Sequence, residues 1–274
     1  MKRKKRTSAI GVYIALIIGS IIMIFPFIWM LLTAFKTNSE VMKVPPTILP
    51  SSWNLSAFTK VLDLLPFGNL YLNTVLLILI RVICAVVFCS MAGYAFAKLK
   101  FKGKNILFTI ILVQQMIPAQ IFIIPQYQML AKLELTDTLF ALVFPGIVSA
   151  FGAFFLRQTY MGIPDEIGEA AYLDGCNRWQ TFIKVMLPLT KNSLAALSIF
   201  TAVFAYTDLM WPLVVNTNIN HTTLSAGLST LNGQFSTNYP VLMAGSLLAM
   251  LPMVILYLIF QKSFIEGIAM TGGK

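Results

Sequence analysis

Six stretches of this chain, 7–35, 70–92, 105–130, 138–156, 194–215 and 239–260, run for close to 20 residues or more with almost no charge. That is the length an α-helix needs to cross a hydrocarbon layer about 30 Å thick. In lipid every backbone N–H and C=O must find its partner inside the protein, so a chain spans as helices or as a closed barrel, and runs this long specify helices. The expectation is an all-α polytopic membrane protein with six transmembrane helices. Composition agrees: 58% of residues are hydrophobic and 11% charged, against about 45–50% and about 25% in soluble domains. A water-soluble enzyme of this size could not cover so much apolar side chain, and a disordered chain would not carry it.

The excess of 20 Lys and Arg over 10 Asp and Glu would suggest nucleic acid on a soluble protein. In a membrane chain it reports orientation. With the N-terminus in the cytoplasm, the inside segments 1–6, 98–104, 157–191 and 262–274 hold 15 of the 20 cations. Lys36, Lys43, Lys60 and Lys132 fall outside, and Arg81 lies within the second span. Both termini are therefore expected in the cytoplasm, with no nucleic-acid role. The basic head followed by an apolar run is too long for a signal core and shows no cleavage pattern, so it reads as an uncleaved helix. Cys84, Cys89 and Cys176 form no CxxC, and His221 has no second imidazole, so no metal site is expected.

Pro26, Pro118, Pro125, Pro145-Gly146, Pro212 and Pro252 fall in the spans. Each removes a backbone donor, which fits either helices that line a pathway or the ordinary frequency of proline in membrane helices. The segment between spans four and five is more informative. Pro164 suits the first position of a helix, where Asp165 and Glu166 complement the positive end of its dipole. Gly168, Ala171 and Gly175 share a face nearly free of side chains, and Gly175 permits a sharp turn. Asn177 suits the cap of a second helix, on which Trp179, Phe182, Ile183 and Met186 form an apolar stripe before Pro188. The result is an elbow that either offers its first helix to a partner or lies as an amphipathic loop on lipid.

Glu169-Ala170-Ala171, then Gly175, Val185 and Leu187-Pro188 at their spacings, resemble the EAA loop of ABC importer permeases. Ile163-Pro164, Asp174-Gly175, Trp179 and Phe182 are similar to its carbohydrate branch, the maltose and glycerol-phosphate type. The resemblance continues through Thr33-Ala34-Phe35-Lys36, Asn73-Thr74, Gly93-Tyr94-Ala95-Phe96-Ala97-Lys98 and Gln115-Met116-Ile117-Pro118. The chain departs from that pattern at Val185, at Tyr206-Thr207, near Asn192, in its last residues Gly272-Gly273-Lys274 and at Arg81.

The resemblance implies a type I ABC importer permease fold with a basic N-terminus (1–8), a first span (9–35) and an extracytoplasmic loop (36–69). A core (70–262) holding the coupling loop (157–191) and a cytoplasmic tail (263–274) complete it. It implies a second permease subunit, two ABC ATPase subunits that bind ATP and magnesium, and an extracytoplasmic solute-binding protein. It also implies a sugar as the substrate and a bacterial or archaeal plasma membrane as the location. The chain has no GxxxxGK[ST] loop and no cofactor or catalysis of its own is expected. Coupling to the ATPase is expected from Glu169, Ala170, Ala171, Asp174, Gly175, Leu187 and Pro188, with Glu169 offering a carboxylate to an arginine of the motor, and the segment from Phe264 touching it too. Asn73, Gln114, Gln115, Tyr206, Thr207 and Asp208 are candidates for the substrate pathway, each able instead to bond helix to helix. Arg81 is a candidate by its charge alone: it could meet an anionic sugar such as a uronate or sugar phosphate, pair with a carboxylate of the partner permease, or snorkel.

Overall fold

Helix is the only regular structure among the described residues, which in this computed structural model are 2–233 and 237–272, without the side chains of 2–10, 260 and 262–272. The expected roles of the basic head 1–6 and of the tail from Phe264 rest on side chains outside the described residues. Three runs are long and apolar enough to cross a bilayer: Gly11–Ala34, Phe67–Lys98 and Tyr239–Ile259. Three bent helix pairs bring the count to as many as six when each pair is taken as one span.

Proline explains where helices bend only when its position is considered. Pro26 lies inside helix α1 (Lys2–Ala34) and Pro252 inside the last helix, Tyr239–Gly272, and neither interrupts the element. The third span is different from the single rod expected. Helix α2 (Lys104–Met116) ends at Ile117-Pro118, and the run Ala119–Lys132 leaves it at 97°. Thirteen residues rise only about 20 Å, so α2 alone falls short of a bilayer. The fourth span breaks at Phe144-Pro145-Gly146, with a 45° bend before α3 (Ala150–Met161). The fifth runs as α4 (Lys191–Thr207), stops at Asp208, and resumes as Met210–Val215.

The chain forms two compact units, 1–66 with 228–252 and 67–227 with 253–274. In the first, the buried Glu40 accepts from the Ser51 N–H at 2.8 Å and from Ser51 Oγ at 3.1 Å, which folds residues 36–55 back on themselves. In the second, Cys89, Leu156, Tyr160, Met186 and Leu197 form a core where Ser90–Lys98 crosses α3. Two glycines make that crossing possible. A Cβ on Gly93 would stand 2.8 Å from Leu156 Cβ, and one on Gly152 2.7 Å from Cys89 Sγ. A second core gathers Leu77, Leu130, Leu142, Ala205, Trp211 and Val215 around the breaks in spans four and five.

Candidate functional site

The elbow forms as two helices. The first, α5 (Asp165–Leu173), starts after Pro164, which precedes the first helical residue rather than occupying it. Gly175 has φ +84°, the left-handed turn for which glycine carries no steric cost. Asn177 then caps α6 (Arg178–Leu189) in a reciprocal box, with its Oδ1 accepting from the Gln180 N–H at 2.9 Å and its own N–H donating to Gln180 Oε1 at 2.8 Å.

The small face of α5 is divided. Gly168 and Ala171 are buried, and a Cβ on Gly168 would meet Met186 Cε at 3.2 Å, so these two seat α5 on its own chain. Glu169, Ala170, Asp174 and Gly175 are exposed beside Leu173, which is 89% exposed. A helix that leaves a leucine this bare beside small and acidic residues has the makings of a docking face. Leu187 and Pro188 lie at the other end of α6, before the 76° bend into α4.

The lock that holds α5 in place was not legible in its own motif. Lys98, at the end of the second span, donates to Ile163 O at 2.5 Å and pairs with Asp165. That hydrogen bond and charge hold the Asp165 carboxyl below the usual aspartate range. Beside it, Lys104 donates to Ala97 O and Leu99 O, and Arg157 Nε to Phe96 O at 3.2 Å. Two cations from two other segments, Lys104 and Arg157, thus complete the carbonyl end of helix Ser90–Lys98, where the dipole is negative. Counting charges for orientation found these residues but not their partners.

The bends at spans three and four open a cavity of about 790 Å³ in which Gln114, Gln115 and Gln126 stand among Phe122, Phe151 and Phe204. Amides that can both donate and accept, set among aromatic faces, are chemistry suited to a hydroxyl-rich ring. Gln114 and Gln115 were foreseen. The other four come from three elements, Gln126 and Phe122 from the run Ala119–Lys132, Phe151 from α3 and Phe204 from α4, so no local pattern along the chain gathers them.

The remaining pathway candidates are engaged with their own chain. Asn73 Nδ2 donates to Asn220 O at 2.9 Å and Thr222 O at 3.0 Å, clamping the loop before Leu224. Tyr206 O accepts from Ser225 Oγ at 2.6 Å, and Thr207 Oγ1 donates to Val203 O at 2.9 Å.

Arg81 and Asp208 are paired with each other, Nη1 to Oδ2, at 3.2 Å. This arrangement is none of the three expected for Arg81. Its physical origin is the break at Pro145, which has no N–H to offer the carbonyl four residues back. Ala141 O accepts instead from Trp211 Nε1 at 2.8 Å, and Leu142 O from Arg81 Nη2 at 2.6 Å. The buried cation is there to finish a broken helix, and Asp208, at the end of α4, neutralises it.

Bent apolar helices, an exposed elbow and a cavity among the helix breaks define a membrane-embedded transport subunit. A family model described as the binding-protein-dependent transport system inner membrane component matches residues 85–269, and the chain belongs to that family. It is therefore an inner membrane component that works with a solute-binding protein and an ATPase. The chain is 36% identical over 99% of both chains to the arabinooligosaccharides transport system permease protein AraQ of Halalkalibacterium halodurans. It is 30% identical, over 98% of both, to the sn-glycerol-3-phosphate transport system permease protein UgpE of Pectobacterium atrosepticum. The fold is shared, with a TM-score of 0.80 and 24% identity over 96% of this chain and 98% of the other, with the crystal structure of a bacterial ABC transporter involved in the import of the acidic polysaccharide alginate.

Proposed function

We propose that this chain is one of two permease subunits in an ATP-driven, binding-protein-dependent importer of an oligosaccharide. Two ATPase subunits hold ATP and magnesium, and both termini of this chain lie in the cytoplasm. The observation that carries the coupling role is the exposed face of α5 and the turn after it, with Glu169, Ala170 and Gly175 outward and Lys98 gripping the base of the helix. ATP-driven closure of the motor would push on this face. Because α5 is tied to the second span through Lys98 and to α4 through α6, the push would reach the bundle as the motion of a rigid lever. The domain bounds read from sequence, with a coupling loop at 157–191, fit this division of labour.

Substrate class follows from the cavity. Three glutamines and three rings with no charged side chain in the lining suit a sugar better than an ion or an amino acid. The full-length similarity to AraQ, named for arabinooligosaccharides, supports the same reading. The test is reconstitution of the complex with its motor, second permease and binding protein in proteoliposomes, offered radiolabelled arabino-, xylo- and malto-oligosaccharides. ATP-dependent uptake of at least one is expected. Uptake driven by an ion gradient without the ATPase would end the proposal.

A further inference from the structure

Where the second span meets the elbow, two concavities share a wall. A groove of about 280 Å³ runs between Met91, Tyr94 and Ala95 of the span and Trp179 and Phe182 of α6, and Arg178 is its one charged lining residue. Tyr94, Leu99 and Arg178 also line a cleft of about 530 Å³, which adds Lys98, Lys100 and Lys104. These cations are of two kinds. Lys98 and Lys104 are committed to backbone carbonyls and, for Lys98, to Asp165. Lys100 and Arg178 are exposed, and among the described residues neither side chain has a hydrogen-bond or ion-pair partner. Of the carboxylates lining the cleft, Asp165 is neutralised by Lys98 and Glu169 sits on α5. Beside the groove, Trp179 and Ile183 stand one turn apart on α6 at 58% and 54% exposure, and Phe88 and Met91 are exposed on the span. The run Phe67–Lys98 has 32 residues, about 48 Å of helix against a hydrocarbon layer of about 30 Å, so its ends reach the headgroups. Tryptophan and arginine are side chains suited to that depth.

We propose that groove and cleft together hold one acidic phospholipid, with an acyl chain against Met91, Ala95, Trp179 and Phe182 and its phosphate on Arg178 and Lys100. Charge complementarity selects this occupant: an apolar groove that joins a cleft with two uncommitted cations matches an amphiphile with an anionic head. A soluble anion would leave Trp179 and Ile183 bare, and a neutral lipid would leave both cations without a counter-charge. The exposed side chains of Phe88 and Met91 continue the groove along the span, as an acyl chain requires. A lipid seated there touches the second span on one side and α6 on the other, and so braces the elbow against the bundle. This inference goes beyond the importer reading and does not depend on the identity of the solute.

The test is native mass spectrometry of the full chain in detergent micelles, alone and bound to its ATPase, titrated with dioleoylphosphatidylglycerol or dioleoylphosphatidylcholine. Each cation near an acidic headgroup contributes about fivefold, so the wild type should hold one phosphatidylglycerol about thirtyfold more tightly than phosphatidylcholine. Lys100→Gln/Arg178→Gln should level the two lipids. Trp179→Gln, which removes a groove wall and no charge, should weaken both alike. Lys102→Gln/Lys184→Gln takes the same charge from exposed positions that line neither concavity, and should keep the preference. Equal affinity of the wild type for the two lipids, a preference that survives loss of Lys100 and Arg178, or one lost equally in the Lys102 and Lys184 variant would each overturn the proposal. Displacement of the lipid by millimolar inorganic phosphate would overturn it in favour of a soluble anion. A site filled in the chain alone but closed in the ATPase complex would assign this face to the protein partner and overturn it as well. If no ATPase complex forms, the coupling reading fails and the chain alone decides. None of these readouts uses transport, so a failure of sugar import counts against the importer reading only.

Discussion

Replacing Gly93 by alanine adds a single methyl at the place where two membrane helices touch through their backbones. The new Cβ would lie 2.8 Å from Leu156 Cβ and 2.9 Å from Leu156 C and Arg157 N, where ordinary contacts are about 3.5–4.0 Å. None of these atoms is the end of a flexible side chain, so relief requires the helices to part by roughly an ångström. Overpacking of this kind costs about 1–3 kcal/mol. The same separation loosens the edge contact of Tyr94 with Tyr160, whose ring centroids are 5.6 Å apart. Gly68→Ala is the control, because nothing lies within 4 Å of that Cβ and alanine in place of a helical glycine is worth up to about 1 kcal/mol. Unfolding in mixed micelles titrated with SDS should therefore rank Gly93→Ala below wild type and Gly68→Ala at or above it. Import by Gly93→Ala should fall more than ATPase activity does, since helix Ser90–Lys98 carries the lysine that holds α5. Equal stability of the two variants would refute the reasoning, because it would mean that the crossing has slack the distances deny.

Other expectations follow from the elbow and the loops. Gly175→Leu forces a branched side chain into a left-handed turn at about 1–2 kcal/mol, with open space around the Cβ; the protein should insert normally, while co-purification with the ATPase and transport are lost. Lys98→Met should lower sugar imported per ATP hydrolysed without preventing assembly. The Asp165 carboxyl is held low by Lys98, so its contribution is complete above the ordinary aspartate value of about 3.9 and lost only as pH falls through the lower native value. The coupling ratio should then be flat between about pH 5.5 and 8, and a loss within that window would show that the pair is not what couples. Asn73→Ala removes two bonds worth about 0.5–1.5 kcal/mol each from the clamp on residues 220–222; limited proteolysis should cut there faster, with the apparent KM for sugar unchanged, whereas a raised KM with an intact loop would make Asn73 a substrate contact.

Class, span number and the elbow were legible along the chain, for a physical reason. Lipid demands runs of apolar residues long enough to cross, and capping and turning demand particular residues at particular offsets. Asn177 with Gln180 and Gly175 with its positive φ are local devices, complete within a few residues. Which side of α5 faces outward was not local. Gly168 and Ala171 are small residues like Gly175, yet the fold buries both, Gly168 against Met186, a turn and a helix away. The tertiary structure alone decided the partners of charge. Arg81 finds Asp208 across 127 positions and Leu142 across 61, and Lys98 finds Asp165 across 67. Pattern along a chain records what each residue needs, such as a neutral surrounding for a buried cation. Where that need is met depends on how the broken helices bend and on which neighbour each bend brings within reach, and apolar runs of similar length do not encode either.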